Sequence, residues 1–438
     1  MFRWIATLNV VLVMAVALLT LNCDEPGPDE GAVAKSTKER VITPQVPAGD
    51  LQKQVAASNA FAVDLYHQIK TNGENLFASP HSISTALAMV YGGARSVTEQ
   101  EMKKALRFEL PQAKLHPVFN KLDLELQSRG KGASGSDGKA FELSIANSLW
   151  GRPDGTYLPS FLDLMALNYG AGIRLVDFGG DTEGARHEIN AWVAQKTRDR
   201  IKELLQQGDV NGNTALVLVN AIYFNAAWKE PFEETATQPH PFDADGTSVT
   251  VDMMSSLKKR ARYAKGAGYE AVELPFDGDE LSMLVLVPDA GTFRTFQQGL
   301  TAKTLDDALG QLTSQEVYLK LPRFKFSSHR KLKPALKALG MVQAFDPNAA
   351  NFEGICGVPG GPAGLVIDDV IHEAFVQVAE KGAEAAGATA VVMADAGAMP
   401  GPLPEPVYLT VDRPFLFAIR DNATGVILFL GHVVDPNA

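Results

Sequence analysis

Histidine–acid pairs and an acidic turn are the residues of this chain that could support metal chemistry. His187-Glu188 and His372-Glu373 each supply half of a His-Glu-x-x-His zinc motif, and both lack its second histidine. Asp243-Ala244-Asp245-Gly246 resembles part of a calcium loop without the remaining ligands, which indicates a turn. No Gly-x-Ser-x-Gly elbow and no nucleotide-binding glycine loop in a strand–helix context occurs. The sequence therefore predicts no metal, no cofactor and no enzymatic activity.

The segment from Glu380 to Pro400 is the most unusual part of the chain. A glycine, Gly382, is followed by very small residues, then by apolar ones and a proline-rich exit. Alanine favours helices, so one interpretation is a linker or a short Ala-rich helix. The other is a loop that can become a strand, because proline is absent before Pro400 and Glu384 has the opposite parity to the residues that would face a core. Those residues are Ala383, Ala385, Gly387, Thr389 and Val391.

Helical patterns come first along the chain. Residues 51–70 and 83–91 are predicted helices, the second with Ser82 as its N-cap after Ser79-Pro80. Residues 183–206 form a third, amphipathic pattern. One face of that pattern carries Ile189, Trp192, Val193, Thr197, Ile201, Leu204 and Leu205.

Strand patterns fill the second half. Residues 215–224 are a nearly continuous apolar run around Asn220, which is typical of a strand buried on both faces, and 281–287 and 426–430 are similar. Residues 372–378 alternate between two faces. Helices followed by many strands predict a single α+β domain with large sheets.

Several motifs in the same order as in the serpin family give the chain a specific resemblance to these serine protease inhibitors. Besides the segment after Glu380, the motifs are Asn75–Ile83, Leu218–Phe224 leading to Trp228-Lys229 and Pro231-Phe232, Leu321–Phe324, and Asp412–Phe417 with Gly431. The resemblance covers nearly all of residues 51–438. It implies the serpin fold, in which helices surround three β-sheets, the main sheet has five strands and a reactive loop is exposed.

The resemblance assigns roles to two groups of residues. A polar cluster beneath the opening sheet falls on Ser79, Ser82, Asn220 and His372. The top of the sheet, where loop insertion begins, falls on Trp228, Arg323 and Glu380. We expect Glu380 and Arg323 to form an ion pair that holds the sheet shut.

The resemblance also implies the mechanism. A serine protease attacks the exposed loop and forms an acyl-enzyme, and the freed loop then inserts into the main sheet as a new strand. The family's usual spacing from Glu380 places the cleaved bond between Ala396 and Gly397, with Met393 and Ala394 as alternative sites. Ala396 predicts an elastase-like or subtilisin-like target. The hinge of the loop comprises Glu380, Gly382, Ala383, Glu384, Ala385, Ala386, Gly387 and Ala388, and Ala383 stands where inhibitory members usually carry Thr or Ser.

The first 23 residues predict export. Arg3 precedes an apolar stretch, Val10–Leu21, that is too short to span a bilayer comfortably and suits a signal peptide. Leu19–Cys23 resembles a bacterial lipobox in which Cys23 becomes lipidated, and the alternative is an unlipidated signal peptide cut nearby. The prediction is a cell-envelope lipoprotein that contacts the membrane through its lipid, or otherwise a secreted or periplasmic protein.

Residues 24–50, rich in proline, glycine and charge, predict a flexible linker before a domain at 51–438. With 51 acidic and 40 basic residues the net charge is −11, which argues against binding to nucleic acid. If Cys23 carries lipid, Cys356 is a lone thiol and no disulfide forms. We expect a monomer whose partner is the target protease.

Two other functions stay open at this point. A serpin-fold protein that binds without inhibiting is the main alternative, and the small hinge residues favour inhibition over it. A secreted hydrolase is the third hypothesis, and the missing catalytic motifs weaken it.

Overall fold

The computed structural model describes residues 31–130, 142–256, 259–359, 364–383 and 405–438. Within these residues the α-helices are α1 Ala48–Ile69, α2 Pro80–Tyr91, α3 Ser96–Ala105, α4 Gln112–Gln127, α5 Pro159–Tyr169, α6 Thr182–Lys196, α7 Phe293–Gln298, α8 Ala302–Gln311, α9 Lys333–Ala338 and α10 Glu353–Cys356. Short 3₁₀ turns occupy Glu234–Ala236 and Gln343–Phe345. No helix in the described ranges is both long and apolar enough to cross a membrane.

The strands, in chain order, are β1 Val33–Ala34, β2 Leu76–Ala78, β3 Glu142–Gly151, β4 Ile173–Leu175, β5 Leu216–Ala227, β6 Gln238–Ala244, β7 Thr247–Ser255, β8 Lys259–Gly266, β9 Tyr269–Pro275, β10 Leu281–Pro288, β11 Thr313–Pro322, β12 Phe324–Lys331, β13 Val370–Ala379, β14 Gly382–Ala383, β15 Val407–Thr410, β16 Phe415–Asp421 and β17 Ile427–Val433. The helix and strand patterns predicted at 51–70, 215–224, 281–287, 372–378 and 426–430 are confirmed within a few residues.

The main sheet has the strand order β1-β4-β3-β5-β14-β13-β12. Five of these strands, β4, β3, β5, β13 and β12, have three residues or more, and β1 and β14 have two each. The other strands form one ten-stranded sheet in the order β2-β17-β16-β10-β9-β8-β11-β7-β6, with β15 paired to β11. The predicted α+β class is therefore confirmed. Within the described residues, the strands beyond the main sheet form one hydrogen-bonded sheet where the resemblance implied two.

Helix α2 lies at the centre of the molecule, and all twelve of its residues are buried. The side chain of Ser79 caps it by accepting a hydrogen bond from the backbone N–H of Ser82, and Pro80 occupies the first helical position. The prediction of Ser82 as the cap is thus wrong by three residues. The hydroxyl of Ser82 is consequently free of capping and can point into the sheet.

The pattern at 183–206 contains a helix that stops early. Helix α6 ends at Lys196, and the side chain of Asn190 bonds both the N–H and the C=O of Leu205, which folds the following chain back onto the helix. Ile201 and Leu205 are still buried in the same apolar cluster as Ile189. The periodic spacing reflected a shared core rather than a continuous helix.

The predicted linker at 24–50 is wrong for the part that the structure describes. Val33–Ala34 adds strand β1 to the edge of the main sheet beside β4. Arg40 donates to the side chain of Asn120 at 2.8 Å and pairs with Asp123 at 2.6 Å. The polar composition of this segment predicts that its side chains are solvated, but Arg40 instead bonds an amide and a carboxylate on α4.

Candidate functional site

The seam between β5 and β13 is the part of the main sheet that the functional residues surround. At its lower end the two strands pair directly and in parallel, from Val370 opposite Leu218 to Ala374 opposite Ile222. At its upper end the two residues of β14 lie between them. Ala383 pairs with Ala226 on one side and Val378 on the other. The start of the predicted loop hinge is therefore already a strand of the sheet.

Gly382 is the residue that allows this entry. Its φ of +153° is combined with a very close approach to β5, because an added Cβ would lie 2.1 Å from the carbonyl oxygen of Ala226. Ala383 follows with 1% of its surface exposed. Only small residues fit here, which is the composition that the sequence shows.

A polar cluster lies at the lower end of the seam, under the pairing of β5 with β13. It contains Ser79, Ser82, Asn220 and His372, all of them buried with 0% exposure. His372 stands directly opposite Asn220 in the sheet, and its Nδ1 bonds the Oδ1 of Asn220. The backbone N–H of Ser79 donates to its other ring nitrogen, Nε2, at 3.2 Å. Because Nε2 accepts, Nδ1 carries the proton of the neutral ring and donates to Asn220.

The amide of Asn220 continues the cluster to a residue that the sequence analysis did not identify. Its Nδ2 donates to the hydroxyl of Ser82 and to the Oδ1 of Asn147 on β3. Ser82 also donates to Asn147 at 3.0 Å. Asn147 lies opposite Asn220 in the β3–β5 pairing. It is one of several polar residues of β3, so the sequence offered no distinctive signal, and only the strand register identifies its partner.

The hydroxyl of Ser79 completes the cluster by donating to the carbonyl of Leu428 on β17 at 2.7 Å. The cluster thus connects the central helix, three neighbouring strands of the main sheet and the second sheet. Burial, aided by the nearby charges of His329 and Arg330, lowers the pKa of His372 to about 3, so the ring is neutral at physiological pH. Each group has a partner, and opening the seam must separate His372 from Asn220.

Glu380 marks the top of the seam, and its side chain is 4% exposed. The Nε of Arg323 donates to both of its carboxylate oxygens, at 2.7 and 2.8 Å, and the hydroxyl of Thr237 donates to Oε1. Burial would raise the pKa of Glu380, but the hydrogen bonds from Arg323 and Thr237 hold it below its usual value. The structure thus contains the expected ion pair between Glu380 and Arg323, and it adds Thr237, which no sequence motif indicated.

Trp228 lies beside this pair and is 1% exposed. Its indole N–H donates to the carbonyl of Ala379 at 2.9 Å, and its backbone N–H donates to that of Lys381 at the same distance. Its ring stacks on Phe276 with 4.7 Å between centroids. Trp228 therefore holds the chain on both sides of Glu380, where β13 turns into β14.

The remaining predicted site residues lie outside the described part of the chain. They are the hinge residues Glu384, Ala385, Ala386, Gly387 and Ala388, the cleaved bond between Ala396 and Gly397, and the lipidation site Cys23. The structure brings together every other residue predicted for the site, in two groups at opposite ends of one seam.

Comparison with known proteins identifies relatives across nearly the whole domain. Residues 56–436 match the family model described as serpin, serine protease inhibitor. The human leukocyte elastase inhibitor is 36% identical over 397 residues, which span 88% of this chain and all of that protein. An uncharacterized serpin-like protein of Thermococcus kodakarensis is 35% identical over 390 residues, covering 89% of this chain and 87% of its own.

A solved structure supports the same assignment. The thermophilic serpin tengpin, in its native state, superposes with a TM-score of 0.78 at 26% identity, covering 93% of this chain and all of that one. Taken together, the seam, the family match and these relatives show that the chain belongs to the serpin family.

Proposed function

We propose that the protein is an irreversible inhibitor of a serine protease with a small specificity pocket, acting by insertion of its cleaved loop between β5 and β13. One observation supports this above all: β14 already occupies the top of the seam, paired on both sides. A strand that has begun there can extend by adding residues one at a time. Relatives named as elastase inhibitors lend the proposal further weight.

The chemistry of the first step belongs to the protease. Its serine oxygen attacks the carbonyl carbon of Ala396, the bond to the nitrogen of Gly397 breaks, and Gly397 becomes a new amino terminus. Residues up to Ala396 stay attached to the protease as an ester. The inhibitor then needs to move this ester away before water hydrolyses it.

Insertion supplies that movement. As the new strand extends downward from Ala383, it replaces the direct pairing of Val370–Ala374 with Leu218–Ile222 and separates His372 from Asn220. Thirteen residues follow Ala383 up to Ala396, and at about 3.3 Å per residue they carry the ester roughly 40 Å along the sheet. The polar cluster and the Glu380–Arg323 pair resist this opening, so they set how readily the native form converts.

The setting of this activity rests on the amino-terminal residues. Family members are often secreted or extracellular proteins. We extend this to an exported bacterial lipoprotein, anchored through Cys23 and acting as a monomer. A globomycin-treated expression host, which accumulates unprocessed lipoprotein, tests the anchor directly.

Denaturing electrophoresis after mixing with pancreatic elastase or subtilisin tests the proposal. We expect a band that survives boiling in detergent, with the mass of the protease plus the chain up to the cleaved bond. The control is the same protease with its catalytic serine blocked, which can form no ester. Clean cleavage without such a band by every protease tried would indicate a serpin fold that does not inhibit.

A further inference from the structure

Two tyrosines lie stacked on the outer face of the second sheet. Tyr408 on β15 is 72% exposed, and its ring lies parallel to that of Tyr318 on β11, with 4.8 Å between centroids and 13° between planes. The two residues are directly opposite in the parallel pairing of β11 with β15. We call Tyr318 and Tyr408 the tyrosine platform.

The alternation of both strands shows that the platform points away from the core. On β11, Val317 and Leu319 on either side of Tyr318 are fully buried. On β15, the neighbouring Leu409 is 1% exposed. The inward positions thus supply the apolar contacts that hold β15 in place. The rings at the outward positions leave a large surface in contact with water in the isolated protein. Tyrosine is enriched at the energetic centres of protein interfaces.

The position of the platform along the chain relates it to the reactive segment. β15 begins at Val407, seven residues after Pro400 at the carboxyl-terminal end of that segment, and among the described strands it pairs with β11 alone. Tyr408 follows Gly397 by eleven residues, so it lies within about 36 Å of the bond to be cleaved. A protease of about 240 residues has a radius of roughly 23 Å, so its rim reaches well toward this face when the bond occupies its cleft.

We propose that the tyrosine platform is a docking surface for the target protease, contacting its rim on the side that holds the carboxyl-terminal part of the loop. The proposal rests on the inhibitory function proposed above. No residue of the cleaved bond takes part. The platform stays with the body of the inhibitor while the ester travels to the far end of the sheet, so this contact exists only in the first, non-covalent complex.

Because the contact exists only in the non-covalent complex, its loss can be distinguished from the loss of a residue that takes part in loop insertion. Loss of the rings should slow association without changing how many inhibitor molecules are consumed per protease trapped, since that number is decided after acylation. Tyr408→Thr removes the ring and puts in its place a β-branched residue, which also favours strands. Tyr408→Phe keeps the stack, and Ile42→Ala, at a 76% exposed site on the amino-terminal segment, is the matched surface control.

Two measurements test the platform with pancreatic elastase. The first is the association rate constant and stoichiometry of inhibition, and the second is the Kd for elastase whose catalytic serine is replaced by alanine. We expect Tyr408→Thr to lower the rate constant and raise the Kd about fivefold to tenfold, with the stoichiometry unchanged. For Tyr408→Phe, which keeps the ring, the changes in rate constant and Kd should be less than half as large. Ile42→Ala should change neither quantity.

Rates and Kd values that stay within twofold of the unmodified protein for Tyr408→Thr would overturn the proposal. An equal loss for Ile42→Ala, or a loss confined to the stoichiometry, would overturn it as well. Failure of the unmodified protein to trap any protease refutes the proposed inhibition. The Kd for the inactive protease then still shows whether the tyrosine platform contacts the protease. Circular dichroism melts of each variant verify that the overall fold is retained.

Discussion

Replacing Arg323 by alanine would leave the buried carboxylate of Glu380 with the hydroxyl of Thr237 but without its arginine. Removing one partner of a fully buried ion pair costs about 3–5 kcal/mol. Here the carboxylate side is 4% exposed, but the side chain of Arg323 is 41% exposed, so water can replace part of the guanidinium's interaction. We therefore expect the native state to lose about 1.5–3 kcal/mol.

Thermal unfolding gives the scale of this loss. With an unfolding entropy of about 2.1 cal/mol/K per residue, a body of roughly 390 residues shifts its Tm by about 1.2 °C per kcal/mol. The expected fall for Arg323→Ala is therefore about 2–4 °C at a fixed scan rate. Lys381→Ala is the matched control, because Lys381 pairs with Glu234, whose side chain is 61% exposed, and should cost less than about 0.5 kcal/mol.

The pH dependence provides a second, independent readout. In the unmodified protein the pKa of Glu380 is lowered, so its contribution to stability is present above the unfolded pKa and is lost as the pH falls through the folded value. Without Arg323, burial would raise that pKa, and the variant would lose stability as the pH rises. The difference between the two proteins should therefore shrink from pH 8 to pH 5. If Arg323→Ala is no less stable than Lys381→Ala, or if the difference does not change with pH, the Glu380–Arg323 pair does not stabilise the native state.

Three further expectations concern the seam. Ala383→Arg places a charge where the side chain is 1% exposed, so elastase should cleave this variant without forming the detergent-resistant band; full retention of the band would show that the position need not be buried. Asn147→Ala removes a partner of Ser82 and Asn220 and should destabilise the native state by about 1–3 kcal/mol in denaturant titrations, whereas no change would remove Asn147 from the cluster. The pKa of His372 is lowered to about 3 in the native state, so below about pH 6.5 the unfolded chain binds a proton that the native ring does not. The free energy of unfolding should therefore fall as the pH falls below about 6.5, and His372→Gln should flatten that part of the pH profile.

Sequence patterns were sufficient to identify strands whose buried residues form a continuous run or recur at every second position. The apolar run around Asn220 and the alternation at 372–378 identified β5 and β13, because strand side chains repeat every two residues. The same patterns could not show that β14 inserts between them. That insertion depends on Gly382 and on the separation of the two strands above Ile222, which are properties of the folded sheet.

Polar partners were harder to predict than polar positions. His372 and Asn220 could be selected from motifs, whereas Asn147 and Thr237 could not, since each acts through a contact with a residue far away in the chain. The error at Ser82 has a different origin: Ser79 and Ser82 both suit a helix cap, and Pro80, which favours the first helical position, was the local signal for Ser79.

The proposed mechanism requires the native form to be less stable than the form in which the loop has become a strand. Nicking the loop with a protease that does not become trapped, and melting the nicked protein beside the intact one, measures this difference. We expect a markedly higher Tm after nicking, with residues that follow Ala383 protected from hydrogen exchange between β5 and β13. A Tm unchanged within about 2 °C and no new protection would show that the loop does not insert.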